Sequence, residues 1–328
     1  MRSFFNRKKI LITGGLGFIG SNLACRLVDW GGRVTLVDSL IPEYGGNLYN
    51  IKDFKDRVTV NISDVRDRYS MEVLVQGHDF LFNLAGQTSH LDSMLDPHTD
   101  LEINCRAQLS ILEACRRVNP LIKVIFASTR QVYGIPKYLP VDEKHLLYPV
   151  DVNGINKMAG EWYHIVYNNV YRIRATALRL TNTYGPRMRI KDARQTFLGI
   201  WIRRIIEGDP FEIFGDGTQI RDFNYIDDVI DAFLLAAIRE EADGQVYNLG
   251  ADDPVNLMDL AKLLTQIRGS GTYQVIPFPS ERKVIDIGDY FADYTSVQRD
   301  LGWKPKTPLK KGLRKTLEYF TQHLTHYL

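Results

Sequence analysis

The chain has 328 residues and a mass of 37.6 kDa, enough for one large domain or two smaller ones. It is 45% hydrophobic and 24% charged, with 25 Gly and 13 Pro, which excludes disordered, collagen-like and coiled-coil chains. Its 41 basic and 39 acidic residues leave a formal charge of +2, so no global field draws it to nucleic acid or an anionic membrane.

In chain order, Lys9 to Thr13 reads as a strand, followed by glycines and an amphipathic stretch from Phe18 to about Trp30. Further strands are expected at Arg33 to Asp38, Val58 to Ile62, Asp79 to Leu84, Lys123 to Ala127 and Arg174 to Leu180. Thr99 to Val118 and Asn153 to Asn169 have helical periodicity and length. Short strands separated by helices predict an α/β fold with a doubly wound, Rossmann-like parallel sheet. Beyond Thr181 a basic stretch, Arg187 to Arg194, precedes a helix at Phe197 to Glu207, a strand at Phe211 to Phe214 and a turn at Gly215 to Gly217. Helices at Asp227 to Ile238 and Asn256 to Gly269 flank a strand at Gln245 to Leu249. A turn-rich passage from Pro277 to Gly288 leads to a last helix from Leu309 to about His323.

The start is too short and broken for an apolar signal core, and the longest apolar run, Ala232 to Ile238, falls far below the roughly 20 residues a span requires. A soluble, cytoplasmic protein without membrane partners is expected. Cys25, Cys105 and Cys115 form neither a disulfide framework nor a metal spacing, so no metal is expected.

The segment Gly14-Gly15-Leu16-Gly17-Phe18-Ile19-Gly20 follows a strand and opens a helix. Glycines at 14, 17 and 20 allow a tight turn, close approach to a pyrophosphate and close helix–sheet packing, with helix amides facing the phosphates. Asp38, ending the second strand, is placed to accept bonds from ribose hydroxyls and to repel a 2′-phosphate, favouring NAD over NADP. Asp64 and Val65, after the third strand, are candidates for the adenine, with a helix cap as the competing role for Asp64.

The order of further motifs resembles the extended short-chain dehydrogenase/reductases of the sugar-nucleotide epimerase/dehydratase family, including the UDP-glucose 4-epimerase-like members. The matching stretches are Thr13 to Gly20, Asn83-Leu84-Ala85-Gly86-Gln87, Ala127 to Gly134, Asn153 to Lys157, Arg179 to Pro186, Phe214 to Phe223 and Leu301 to Pro305. The resemblance implies that the first domain binds NAD, with Leu84, Ala85 and Gly86 beside it, and that a nucleoside-diphosphate sugar lies in the cleft. It places Thr129 against the sugar, Lys157 at the nicotinamide ribose and Asn104 in support of the active site. It sets Ser89, Asn182, Gln195, Arg221 and Arg282 on the sugar nucleotide, the arginines at its phosphates, where guanidinium forks match phosphate oxygens. A solvated surface charge is the competing role for each arginine.

One position departs from that pattern. The family's tyrosine comes four residues before its lysine, and here that residue is Asn153. Residues 153 and 157 share a helix face, but an amide is no general base near neutral pH. Three readings stay open: another group removes the proton, the tyrosine was replaced to trap a complex, or the chain binds its ligands without turning them over. The candidate substitutes are Tyr133, Tyr148, His90 and Lys157 itself.

By resemblance, the NAD-binding domain covers residues 1–180 with a return at about 223–247, and 181–222 with 248–328 form the sugar-nucleotide domain. A homodimer is expected through the helices at Thr99–Val118 and Asn153–Asn169, with Leu109, Ile111, Leu112, Ile155, Met158 and Trp162 as its apolar motive. The expected activity is NAD-dependent epimerisation of a nucleoside-diphosphate sugar at C4. A dehydratase is the nearest alternative, although Arg130-Gln131 stands where family dehydratases tend to carry Asp-Glu; a silent binding protein is the other.

Overall fold

A computed structural model describes all 328 residues. Lys9–Thr13 (β1), Arg33–Asp38 (β2), Val58–Ile62 (β3), Phe80–Asn83 (β4), Lys123–Thr129 (β5) and Ala175–Leu180 (β6) form one parallel sheet with a closing strand at Val246–Asn248. The spatial order is the closing strand, β6, β5, β4, β1, β2, β3. The order therefore reverses between β1 and β4, and a crevice opens there beyond the carboxyl ends of the strands.

Alternation along the strands splits the core into two layers. Ile10 and Ile12 of β1 face the layer that holds the helices Phe18–Asp29 and Ile226–Ile238, whereas Leu11 faces the layer with Ala107–Val118. Each fully buried aliphatic side chain of these layers contributes roughly 1.5–3 kcal/mol. The helix Ile226–Ile238 is fastened to the first by Arg26, which pairs with Asp227 at 3.1 Å and Asp231 at 3.2 Å. Trp303 donates its indole N–H to the Asp228 carbonyl at 2.8 Å, joining the carboxyl-terminal region to the same helix.

The helix expected from Thr99 to Val118 differs in form. It runs as Pro97–Leu101, a π-helical turn at Glu102–Arg106 and then Ala107–Val118. This wider turn keeps Asp100, Asn104 and Gln108, spaced four apart, fully buried together. The turn-rich passage after Pro277 contains a short helix, Ser280–Lys283, and Tyr273–Ile276 is a strand paired with Phe211–Phe214; neither has a periodicity long enough to read locally. No helix is long and apolar enough to cross a membrane.

Candidate active site

The crevice is a cleft of about 1050 Å³ running from the glycine turn to the Ser280–Lys283 helix. Its first end is made largely of backbone. Gly14 has a φ of +65°, and a Cβ at Gly20 would strike the Gly14 carbonyl oxygen. Thr13 Oγ1 holds the facing wall by accepting from the Leu84 and Ala85 amides at 3.0 and 3.2 Å. Asp38 lines the cleft, and its oxygens accept from the Leu16 and Leu40 amides, each at 3.0 Å. Burial raises the Asp38 pKa, with those two amides opposing the shift. Gly17, Phe18, Ile19, Asp64, Val65 and Gly86 line the same end, and Asp64 also closes a turn by accepting from Arg66. A glycine cradle with no room for a side chain, a helix amino terminus and a carboxylate at the second strand fit NAD.

At the middle of the cleft, Thr129 ends β5, and Asn153 and Lys157 enter from the helix Val152–Tyr171. Lys157 donates to the Ala127 carbonyl at 2.6 Å, and burial pushes its ammonium pKa down to about 8, against the pull of Asp100 and Glu161. Asn153 is not a loose substitution. Its Nδ2 faces the Gln87 carbonyl at 2.8 Å, Gln87 Oε1 at 3.2 Å and Asp100 Oδ2 at 2.9 Å. Three acceptors on one side fix the amide's orientation. Asp100 itself accepts from Asn104 at 3.0 Å, from Asn153 and, through its other oxygen, from Asn156 at 2.8 Å. This carboxylate at the hub has no obvious sequence signal, because the π turn and the three amides meet only in space.

The candidate bases separate sharply. Tyr133 does not reach the cleft: the 3-10 turn Arg130–Tyr133 swings its phenol beneath β5, where it donates to Asn248 at 2.7 Å and accepts from Arg179 at 2.6 Å. Burial pushes that phenol up to about 12. Tyr148 is 71% exposed and also off the cleft, its carbonyl turned toward Gly134 instead. Asn104 likewise lies behind the wall, donating to the Gln87 carbonyl at 2.9 Å, so it braces the site without lining it. His90 does line the cleft, and its Nδ1 lies 2.9 Å from Asp151 Oδ2. Asp151 is buried, caps the Val152–Tyr171 helix through the Gly154 amide and also accepts from Gln131 at 2.9 Å. Burial works to raise the Asp151 pKa, but His90 and these donors hold it below the ordinary value.

The far end is built from side chains. Ser89, Asn182, Gln195, Arg221 and Arg282 all line it. Asn182 donates to the Asp222 carbonyl at 3.0 Å, and Gln195 accepts from the Arg189 amide at 3.0 Å. Arg221 pairs with Asp286 at 3.1 Å, whereas Arg282 rests over the Phe214 ring at 5.5 Å. Arg194 bridges the cleft to Asp92 at 2.7 Å. Arg130 and Arg194 are lining residues that the motifs alone did not single out.

Comparisons agree with this geometry. The sequence profile of the NAD dependent epimerase/dehydratase family matches residues 10–250. The chain is 30% identical over 313 residues to the UDP-glucose 4-epimerase of Mycolicibacterium smegmatis, covering 95% of this chain and 98% of that protein. Among solved structures, it is similar to the UDP-glucose 4-epimerase of Thermotoga maritima, with UDP-glucose, at 33% identity and a TM-score of 0.87, covering 96% of this chain and 99% of that one. It also resembles the UDP-glucuronic acid 4-epimerase of Bacillus cereus, in complex with UDP-glucuronic acid and NAD, at 30% identity and a TM-score of 0.85, covering 96% and 98%. From its glycine turn to its closing strand, the chain belongs to the NAD-dependent epimerase/dehydratase family.

Proposed function

We propose that this chain is an NAD-dependent enzyme that epimerises a nucleoside-diphosphate sugar at C4, with His90 in place of the family's tyrosine as acid and base. Family membership and the 4-epimerase relatives support the reaction class. The observation that carries the base is the 2.9 Å approach of His90, which lines the cleft, to the buried Asp151 carboxylate that caps the helix two residues before Asn153. A carboxylate beside one ring nitrogen favours one orientation of the imidazole and leaves the other nitrogen for the substrate.

NAD, when bound, supplies reversible two-electron oxidation of a sugar carbon. The glycine turn and Asp38 hold its pyrophosphate and ribose; Lys157 holds the nicotinamide ribose. Thr129 aligns the sugar hydroxyl, and His90 takes its proton and returns it after the ketosugar has turned over in the cleft. Arg221 and Arg282 hold the diphosphate, helped by Ser89, Asn182 and Gln195, so the nucleotide stays anchored while the sugar rotates. On this reading the NAD-binding unit is 1–180 with 223–247, and the remainder binds the sugar nucleotide.

The test incubates the protein with UDP-, GDP-, CDP- and dTDP-sugars in deuterated water and follows products by NMR. C4 inversion without solvent deuterium at C4 is expected. Dehydration, or epimerisation flanking the keto group, would introduce deuterium and overturn the assignment. His90→Gln is expected to lower kcat by about 10²–10⁴-fold with NAD binding retained; unchanged kcat would exclude His90.

We also propose a homodimer through the Val152–Tyr171 helix, which leaves Ile155, Trp162, Val166 and Val170 about half exposed or more. Ile111 and Leu112 do not contribute, because both are fully buried within the monomer core. Sedimentation showing only the 37.6 kDa species at micromolar protein would exclude the dimer.

A further inference from the structure

The cleft is lined by Arg130, Arg194, Arg204, Arg221 and Arg282, and these guanidinium groups are not equally satisfied. Arg194, Arg204 and Arg221 each have a carboxylate partner within 3.1 Å, whereas Arg282, on the Ser280–Lys283 helix, has no carboxylate partner and rests over the Phe214 ring. Arg130 has no ion pair or hydrogen bond from its side chain, and its Nε is buried without any partner. The guanidinium lies over the Tyr290 ring, 5.7 Å from its centroid.

The carboxylates closest in charge to Arg130 are already committed. Asp222 accepts from Thr181 and from the Ala292 amide, and Asp286 accepts from Arg221 and the Gly288 amide. Arg130 and Arg221 line the same cleft, and burial, together with the neighbouring Arg130 charge, pushes Arg221 down to about 10. A buried cation left without partners is costly, and one that faces a ligand cavity is matched by an anion that the ligand brings. Arg130 is the residue immediately after Thr129, at the carboxyl end of β5, on the sugar side of the cleft.

Resting on the sugar-nucleotide reading above, we infer that Arg130 is a specificity-determining residue that pairs with a carboxylate on the sugar, so the preferred substrates are nucleoside-diphosphate sugars bearing an acidic group. A neutral hexose would leave the partly buried guanidinium, with its buried Nε, unpaired, and the discrimination follows from that penalty as much as from the new ion pair.

The experiment uses the NAD-loaded protein and equilibrium titration with UDP-glucuronate, UDP-glucose and UDP alone. The wild-type chain is expected to bind UDP-glucuronate at least tenfold more tightly than UDP-glucose. Arg130→Gln is expected to bring that ratio close to one while weakening UDP alone far less than UDP-glucuronate. Arg130→Lys, which keeps the charge without the fork, is expected to retain part of the preference. Equal binding of the two sugars by the wild type would overturn the inference. So would an Arg130→Gln variant that loses UDP, UDP-glucose and UDP-glucuronate by the same factor, because Arg130 would then be a diphosphate contact. NAD titration of each variant reports whether it is folded. Failure of UDP-, GDP-, CDP- and dTDP-sugars alike to bind the NAD-loaded protein would refute the sugar-nucleotide reading itself, an outcome distinct from equal binding of acidic and neutral sugars.

Discussion

The two ends of the cleft are built from different materials. The NAD end is backbone: glycines without room for a Cβ, strand-end amides, and a hydroxyl, Thr13, that stitches β1 to the wall. The sugar end is made of long charged side chains carried on turns and short helices, with carboxylates neutralising most of them. A backbone site presents donors at fixed positions that any side-chain change elsewhere leaves intact. A side-chain site changes its preference one residue at a time. Binding of the cofactor is thus largely a property of the fold, with the Asp38 side chain setting the choice between NAD and NADP, and substrate choice is a property of particular residues.

The largest test of that contrast strikes the floor beneath both ends. Glu161 is fully buried, accepts from Ser128 at 2.6 Å and grips Arg179 through two hydrogen bonds, the shorter 2.5 Å. Glu161→Gln leaves Arg179 as an uncompensated buried charge and is expected to cost about 3–5 kcal/mol in denaturant unfolding. A loss below 1 kcal/mol would mean that the pair does not support the site.

Asp151→Asn is the next largest. Asparagine caps a helix as well as aspartate, so stability should be nearly retained while the charge facing His90 disappears. A fall in kcat of about 10²-fold, the lower range for acid–base catalysis, is expected, with the melting temperature little changed. Parallel loss of both would make Asp151 only a structural cap.

A smaller effect is expected at Asp38. Wild-type protein should prefer NAD to NADP by about tenfold, or 1.4 kcal/mol, and Asp38→Ala should narrow the gap measured by equilibrium binding. Equal affinities before the change would separate this carboxylate from cofactor choice.

The smallest effect is a pH dependence. Lys157 has been lowered by burial to about 8, so its ammonium, as the proposed ribose donor, is lost as pH rises through that value. NAD affinity should weaken by a few-fold between pH 7 and 9.5, and Lys157→Arg should remove that limb. The effect on folding has the opposite sign. The unfolded lysine keeps its proton up to its ordinary 10.5, so this group's contribution to stability rises with pH between about 8 and 10.5.

Much of the NAD end was legible in the sequence because its determinants are local: a strand, glycines at three spacings and a carboxylate at the next strand's end. The parallel sheet followed from short apolar runs separated by amphipathic ones. Asp100 was not legible, since its role depends on a π turn and on amides from positions 104, 153 and 156 converging on one carboxylate. Tyr133 misled for a related reason. It lies four residues beyond Thr129, near the cleft along the chain, yet the 3-10 turn directs its phenol to Arg179 and Asn248. His90 was readable as a residue just after the fourth strand, but not its pairing with Asp151, 61 residues further on.

The amide at 153 and the carboxylate at 100 form a lock with two keys. A tyrosine placed at 153 alone would take a hydrogen-bond donor from Asp100 and set a phenol beside a buried negative charge, which favours the neutral phenol over the phenolate a base requires. Changing Asp100 alone would leave the Asn156 amide without its acceptor and remove one acceptor each from Asn104 and Asn153, which would keep Gln87. The two positions are therefore coupled: each sets the hydrogen-bond and charge environment of the other, so a tyrosine-based site would need both to change together.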